Sequence, residues 1–174
     1  MTEKQEKIIE AALELFSKNG FHATSTSKVA KHAGVSEGLI FRHFENKNGL
    51  LTAIAKMAEE KMGGVFYSVI TESDPKKQIR LFLEMPFEIK EEDKEFWRLQ
   101  FKLKWELNTH SKDKMKPITD ALTIALQKLG YKSPEMEAHF LLFFVEGIST
   151  SILRKSMRLD QKEVISFLIN KYDL

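Results

Sequence analysis

With 174 residues, 43% of them apolar and 30% charged, the chain has material for one good core, or for one core plus a small satellite unit, and too much apolar content for disorder. The absence of cysteine excludes disulfides and thiolate metal sites, and a formal net charge of +2 is too small to imply nucleic acid through bulk charge. Only 4 prolines and 8 glycines interrupt it, which favours long helices.

The first residues, Met1 to Lys7, are charged and lead directly into an amphipathic repeat, so no signal peptide is expected there. Ile8, Ile9, Ala12, Leu13, Leu15 and Phe16 predict a helix over Glu3–Lys18, stopped by Asn19-Gly20. The capping residues Thr24-Ser25-Thr26-Ser27 open a short second helix that buries Val29, Ala30 and Ala33 and ends at Gly34. Ser36 caps a third helix running to about His43, which completes a helix–turn–helix pattern. The end of that third helix is unusual. Phe41, Arg42, His43 and Phe44 crowd rings and cations onto a segment that cannot bury them all, which points to contact with an anion.

Lys47 starts a fourth helix through Leu50, Leu51, Ile54, Ala55, Ala58 and Met62, and Gly63-Gly64 reads as a weak point or kink within it. Asp74-Pro75 opens a fifth helix, ended or bent by Pro86. A sixth lies within residues 91–108, a seventh over Lys116–Leu129, an eighth over Pro134–Ser156, and a ninth is capped by Asp160. No alternating strand pattern competes, so the expected fold is all-α. The most apolar run, Phe140–Val145, is followed by Glu146 and is too short to span a bilayer, so a soluble cytoplasmic protein without a membrane partner is expected.

No nucleophile–base set or phosphate loop is present, so no enzyme and no cofactor are expected. His22, His32 and His43 have no second ligand at helical spacing, and no metal is expected; His22 and His32 read as surface residues.

From Ile8 to Leu51 the chain contains Ala-Ala-x-x-Leu-Phe, then Gly-Phe-x-Ala-Thr-Ser, then Val-Ala-x-x-Ala-Gly-Val-Ser, and finally Gly-x-x-Phe-x-His-Phe-x-x-Lys, without a gap. In these motifs the stretch resembles the TetR family of bacterial transcriptional repressors. The resemblance implies an N-terminal three-helix helix-turn-helix DNA-binding domain over 1–46. It also implies a C-terminal helical bundle over 47–174 for ligand binding and dimerisation, with the fourth helix as connector. The third helix would enter the major groove of double-stranded DNA through Ser36, Glu37 and Gly38, with Phe41 on sugar or a thymine methyl. Ser25 and Thr26, at the start of the second helix, would meet a phosphate, as would Arg42, His43 and Lys47.

Two residues depart from the family's usual pattern. Phe41 stands where tyrosine is common, and Glu37 stands where lysine is common. Glu37 either accepts a hydrogen bond from cytosine N4 or only supports the helix N-terminus. Both departures leave open an alternative, a helical adaptor or regulator that has lost operator binding.

In the C-terminal part, aromatic residues cluster between Phe82 and Phe144. They form either a plain core or the wall of a pocket for a small apolar or aromatic effector, with Met85, Phe101, Trp105 and Phe140 as the wall. On the eighth helix, Phe144, Gly147, Ile148, Ser151 and Ile152 alternate large and small residues, and this resembles the family's homodimer interface. The implied function is a homodimeric repressor on a palindromic operator, released by that effector.

Overall fold

The computed structural model describes the backbone of residues 1–106 and 112–174, and the side chains of 1–102 and 115–174. Nine α-helices are described and no strand is found among these residues. They are α1 Glu3–Asn19, α2 Thr26–Ala33, α3 Glu37–Phe44, α4 Lys47–Thr71, α5 Pro75–Glu84, α6 Lys94–Glu106, α7 Lys112–Lys128, α8 Pro134–Leu153 and α9 Gln161–Tyr172. Short 3-10 turns, Met85–Glu88 and Glu91–Asp93, lie between α5 and α6.

The helix ends follow local chemistry. Thr2 and Gln5 form a reciprocal capping box on α1. Ser25 accepts from the Lys28 N–H, and Asp160 accepts from the N–H groups of Lys162 and Glu163. Gly34 ends α2 at φ 67°, a left-handed conformation that glycine adopts without penalty. Asn46 accepts from the Gly49 N–H at the start of α4. A Cβ on Gly49 would lie 1.8 Å from the Phe44 carbonyl oxygen, so only glycine allows α4 to start this close behind α3.

Three expected boundaries move. The seventh helix begins at Lys112 rather than Lys116, so Pro117 falls inside it. The eighth ends at Leu153 rather than Ser156, because Lys155 turns to a positive φ. The fourth runs without interruption through Gly63-Gly64, so the expected kink is not observed.

The chain packs as two units, divided within α4 at 61/62 rather than at the expected 46/47. The first unit joins Met1–Lys61 with α6. Its core takes Ile8, Ile9, Ala12 and Phe16 from α1, Val29 and Ala30 from α2, Ile40 and Phe44 from α3, Leu50 and Ile54 from α4, and Leu99 from α6. Phe16 meets Phe21 edge-on at 5.2 Å. Ion pairing of Lys61 with Asp93, and a hydrogen bond from Ser17 Oγ to Glu95 Oε2 at 3.1 Å, fix the start of α6.

The second unit packs the remainder of α4 with α5, α7, α8 and α9 around Phe66, Val69, Ile79, Phe82, Leu122, Leu126, Leu141 and Leu168. Gln78 is buried and donates to the Val69 carbonyl at 2.8 Å. Tyr172 Oη donates to Glu137 Oε1 at 2.9 Å, and burial together with that carboxylate raises the phenol well above its ordinary pKa. By length and composition α8 could cross a bilayer; it buries Ala138, Leu141, Ser149 and Ile152 inside the unit.

Leu99 is 1% exposed in the core of the first unit. Leu99→Ala should therefore cost about 2–5 kcal/mol by leaving a cavity. Urea unfolding followed by circular dichroism should show a lower midpoint; an unchanged midpoint would remove α6 from that core.

Candidate nucleic-acid interface

The surface that the sequence assigned to DNA lies on the first unit, where α2 and α3 meet. Both helices are held from behind. Val29 and Ile40 are fully buried, and Phe44 turns into the same core. The opposite side of α3 is left to solvent: Ser36, Gly38, Phe41 and Arg42 are exposed, Phe41 at 47%. A Cβ on Gly38 would meet nothing within 4 Å, so the backbone here is open to close approach by a flat group.

Ser25 is the N-cap of α2, and its hydroxyl oxygen accepts from Lys28 N–H at 3.2 Å. Ser36 is the N-cap of α3 but makes no side-chain capping bond, so its hydroxyl is available to another acceptor or donor. Thr26 Oγ1 donates to Glu37 Oε1 at 2.6 Å, joining the first residue of α2 to the first residue of α3. The sequence did not foretell this contact, because the partners are eleven positions apart on separate helices.

Two expected phosphate contacts take other partners. Lys47 Nζ donates to the carbonyls of Phe21 at 3.0 Å, Thr24 at 3.1 Å and His22 at 3.4 Å, and it lies 4.5 Å from the Phe21 ring centroid. An ammonium has three protons, so these acceptors use its full donor capacity. Lys47 thus holds the turn between α1 and α2 against the start of α4. His43 Nδ1 lies 3.4 Å from Gln5 Nε2, which orients its ring toward α1.

His32 is not a free surface residue either. Its Nε2 lies 2.7 Å from Glu14 Oε2, while Glu14 Oε1 accepts from Lys18 Nζ at 2.6 Å. Those two partners, Lys18 first, hold the Glu14 carboxyl below its ordinary pKa.

The residues nominated for an effector wall are not gathered within either unit. Met85 is half-buried against the core of the second unit. Phe101 belongs to α6 and hence to the first unit. Phe140 is 59% exposed and points outward, which corrects its placement on a cavity wall. The side chain of Trp105 lies outside the described residues. A cleft lined by Arg80, Leu83, Glu84, Ile165, Leu168, Ile169 and Leu174 has room for about one water-sized group.

Of the interface residues, Phe144 and Ile148 pack partly against the core, Gly147 is exposed, and Ser151 Oγ donates back to the Gly147 carbonyl at 3.0 Å. Ile152 is only 8% exposed and faces inward, a correction to its expected place at a partner. The outward apolar residues of α8 are instead Met136, Phe140 and Phe143, at 60%, 59% and 68% exposure.

Comparison with known proteins agrees with this geometry. Residues 8–54 match bacterial regulatory proteins of the tetR family. The chain is 28% identical over 147 residues to the HTH-type transcriptional activator FasR of Mycolicibacterium smegmatis, covering 84% of this chain and 67% of that protein. It is 45% identical over 60 residues to the fatty acid metabolism regulator protein of Bacillus subtilis, which is 34% of this chain and 29% of that one. Its fold is similar to that of the fatty acid degradation regulator FadR from Bacillus halodurans, with a TM-score of 0.72 over 99% of this chain and 96% of that one, at 19% identity. The helix-turn-helix is carried on the segment that matches, so residues 8–54 form a DNA-binding domain of the tetR type, as in relatives named as transcriptional regulators rather than enzymes.

Proposed function

We propose that this regulator binds a palindromic operator as a homodimer, represses transcription there, and is released by a small apolar effector of the fatty-acyl class. The observation that carries the reading is the outward face of α3, with Ser36, Gly38, Phe41 and Arg42 presented on a helix whose other side is locked into a core. Such a face suits the major groove. The dimer is supported by the row Met136, Phe140, Phe143 and Gly147 on α8, which repeats at helical spacing and is apolar and exposed. The effector class is supported by relatives whose names place them in fatty acid metabolism.

Release requires that the effector bind better to a state in which the two α3 helices are wrongly spaced. The connector is α4, which runs through both units. The division between the units falls next to Gly63-Gly64, where the helix is exposed and backbone freedom is greatest.

A labelled duplex from upstream of the protein's own coding region tests the reading, titrated at two salt concentrations against random duplex. Binding that resists competitor, weakens with salt and is reversed by palmitate or its coenzyme A thioester is expected. Duplex affinity no greater than for random DNA would favour a regulator that has lost its operator.

Lys47 gives a second test. Its three carbonyl contacts imply that Lys47→Met lowers affinity without changing the dependence of log K on log salt. Were Lys47 a phosphate contact, the slope would fall by about 0.9 for each one lost.

The glycine pair gives a third. Both positions are helical, and an added Cβ meets nothing within 4 Å. Gly63→Ala with Gly64→Ala should raise stability by roughly 1 kcal/mol per site, leave operator affinity unchanged and weaken the response to effector. An unchanged response would remove the hinge.

A further inference from the structure

We propose that Glu37 is a base-reading residue, set in position by Thr26, whose carboxylate accepts the exocyclic amino group of a cytosine and fixes the operator's preference at one position of each half-site. The inference rests on the operator-binding reading above and adds to it which base is read and by what.

Glu37 opens α3 and is half-buried, unlike the exposed Ser36 and Gly38 on either side. Its Oε1 accepts from Thr26 Oγ1 at 2.6 Å, a short hydrogen bond to an ionised acceptor. That bond removes most of the rotamer freedom a surface glutamate would lose on binding. A hydroxyl donates one proton, whereas a carboxylate offers about four lone-pair sites and no donor. The group therefore keeps acceptor capacity on Oε2, at the end of the helix proposed to enter the groove.

The chemistry of that groove narrows what such an acceptor can meet. Phosphate oxygens repel a carboxylate, and guanine offers only acceptors on its major-groove edge. Two donors remain, the amino groups of adenine and cytosine. Adenine places its N7 acceptor beside the amino group, where it opposes the carboxylate; cytosine presents the amino group without an adjacent acceptor of its own. Gly38 beside it leaves open space where a side chain would stand, so the base edge has room to reach the carboxylate.

The arrangement also reassigns Thr26. Its hydroxyl proton is committed to Glu37, so Thr26 acts as a positioning residue rather than as a donor to phosphate.

The test is selection of bound sequences from a random duplex pool by the full-length protein and three variants, each first checked by thermal melting. Glu37→Gln keeps an acceptor for Thr26 but adds an amide donor, which matches adenine N7 and N6 together. Its selected motif should change from cytosine to adenine at one position per half-site, with roughly tenfold to hundredfold discrimination and every other position unchanged. Thr26→Val should still select cytosine there, with weaker discrimination. Glu37→Ala should lose the preference at that position and bind random duplex more tightly, since a repulsive charge is gone.

If wild type and Glu37→Gln select the same motif, Glu37 serves only the helix end and the proposal is overturned while the operator reading stands. If the wild-type protein selects no motif, both fall.

Discussion

Eight residues are too few for a helix to persist alone in water, and α2 and α3 each have eight. Whatever these helices present to a partner depends on the packing behind them. Val29 and Ile40 are fully buried against Ile8, Phe16 and Leu50, so the orientation of α3 is a property of the unit as a whole. Polar ties complete the constraint: Lys47 on three loop carbonyls, Thr26 on Glu37, and Gly49 packed on the Phe44 carbonyl. Each joins the ends of different helices, where the backbone is least supported by its own hydrogen bonds.

That use of polar groups bears on how a chain with a net charge of only +2 acts on a polyanion. Many of its charges are already engaged within the protein. Lys7 pairs with Glu3, Lys18 with Glu14, and the Lys47 ammonium lies on carbonyls. Exposed pairs of this kind contribute little to stability, since solvent screens them. On α2 and α3 the exposed cations are Lys28, Lys31 and Arg42. Cations of this kind meet phosphate and set register, while contacts to base edges carry the sequence preference.

The extent to which this was legible in the sequence follows from the range of the interactions. Apolar spacing, Ser25, Gly34 and Asp160 act within a turn or two, and the helices they specify are present with small shifts at their ends. Two units were expected, but the place of their division and the membership of α6 in the first were not legible. Leu99 lies far from α1 in sequence, and nothing in its local spacing names the core it joins. Lys47 and Thr26 were legible as members of a motif but not in what they touch, because their partners lie 23 to 26 and 11 residues away. Phe140 misled because an aromatic residue in an apolar helix reads the same whether it is covered or exposed, and it is 59% exposed.

The same ambiguity governs α8, whose length and apolar composition suit a bilayer, a core or an interface between copies. Composition does not separate these, but the distribution of burial narrows them. Ala138, Leu141, Ser149 and Ile152 face inward, and Met136, Phe140 and Phe143 face outward, so the helix has one covered and one uncovered apolar side. Glu135 and Glu137 in its first turn and Glu146 further along would each be costly inside hydrocarbon. A second copy about a two-fold axis would instead cover Phe140 with its own equivalent surface. The proposed dimer therefore removes exposed apolar area from α8 by the same symmetry that sets two α3 helices against the two halves of a palindrome. An effector that disturbs one would then act on the other.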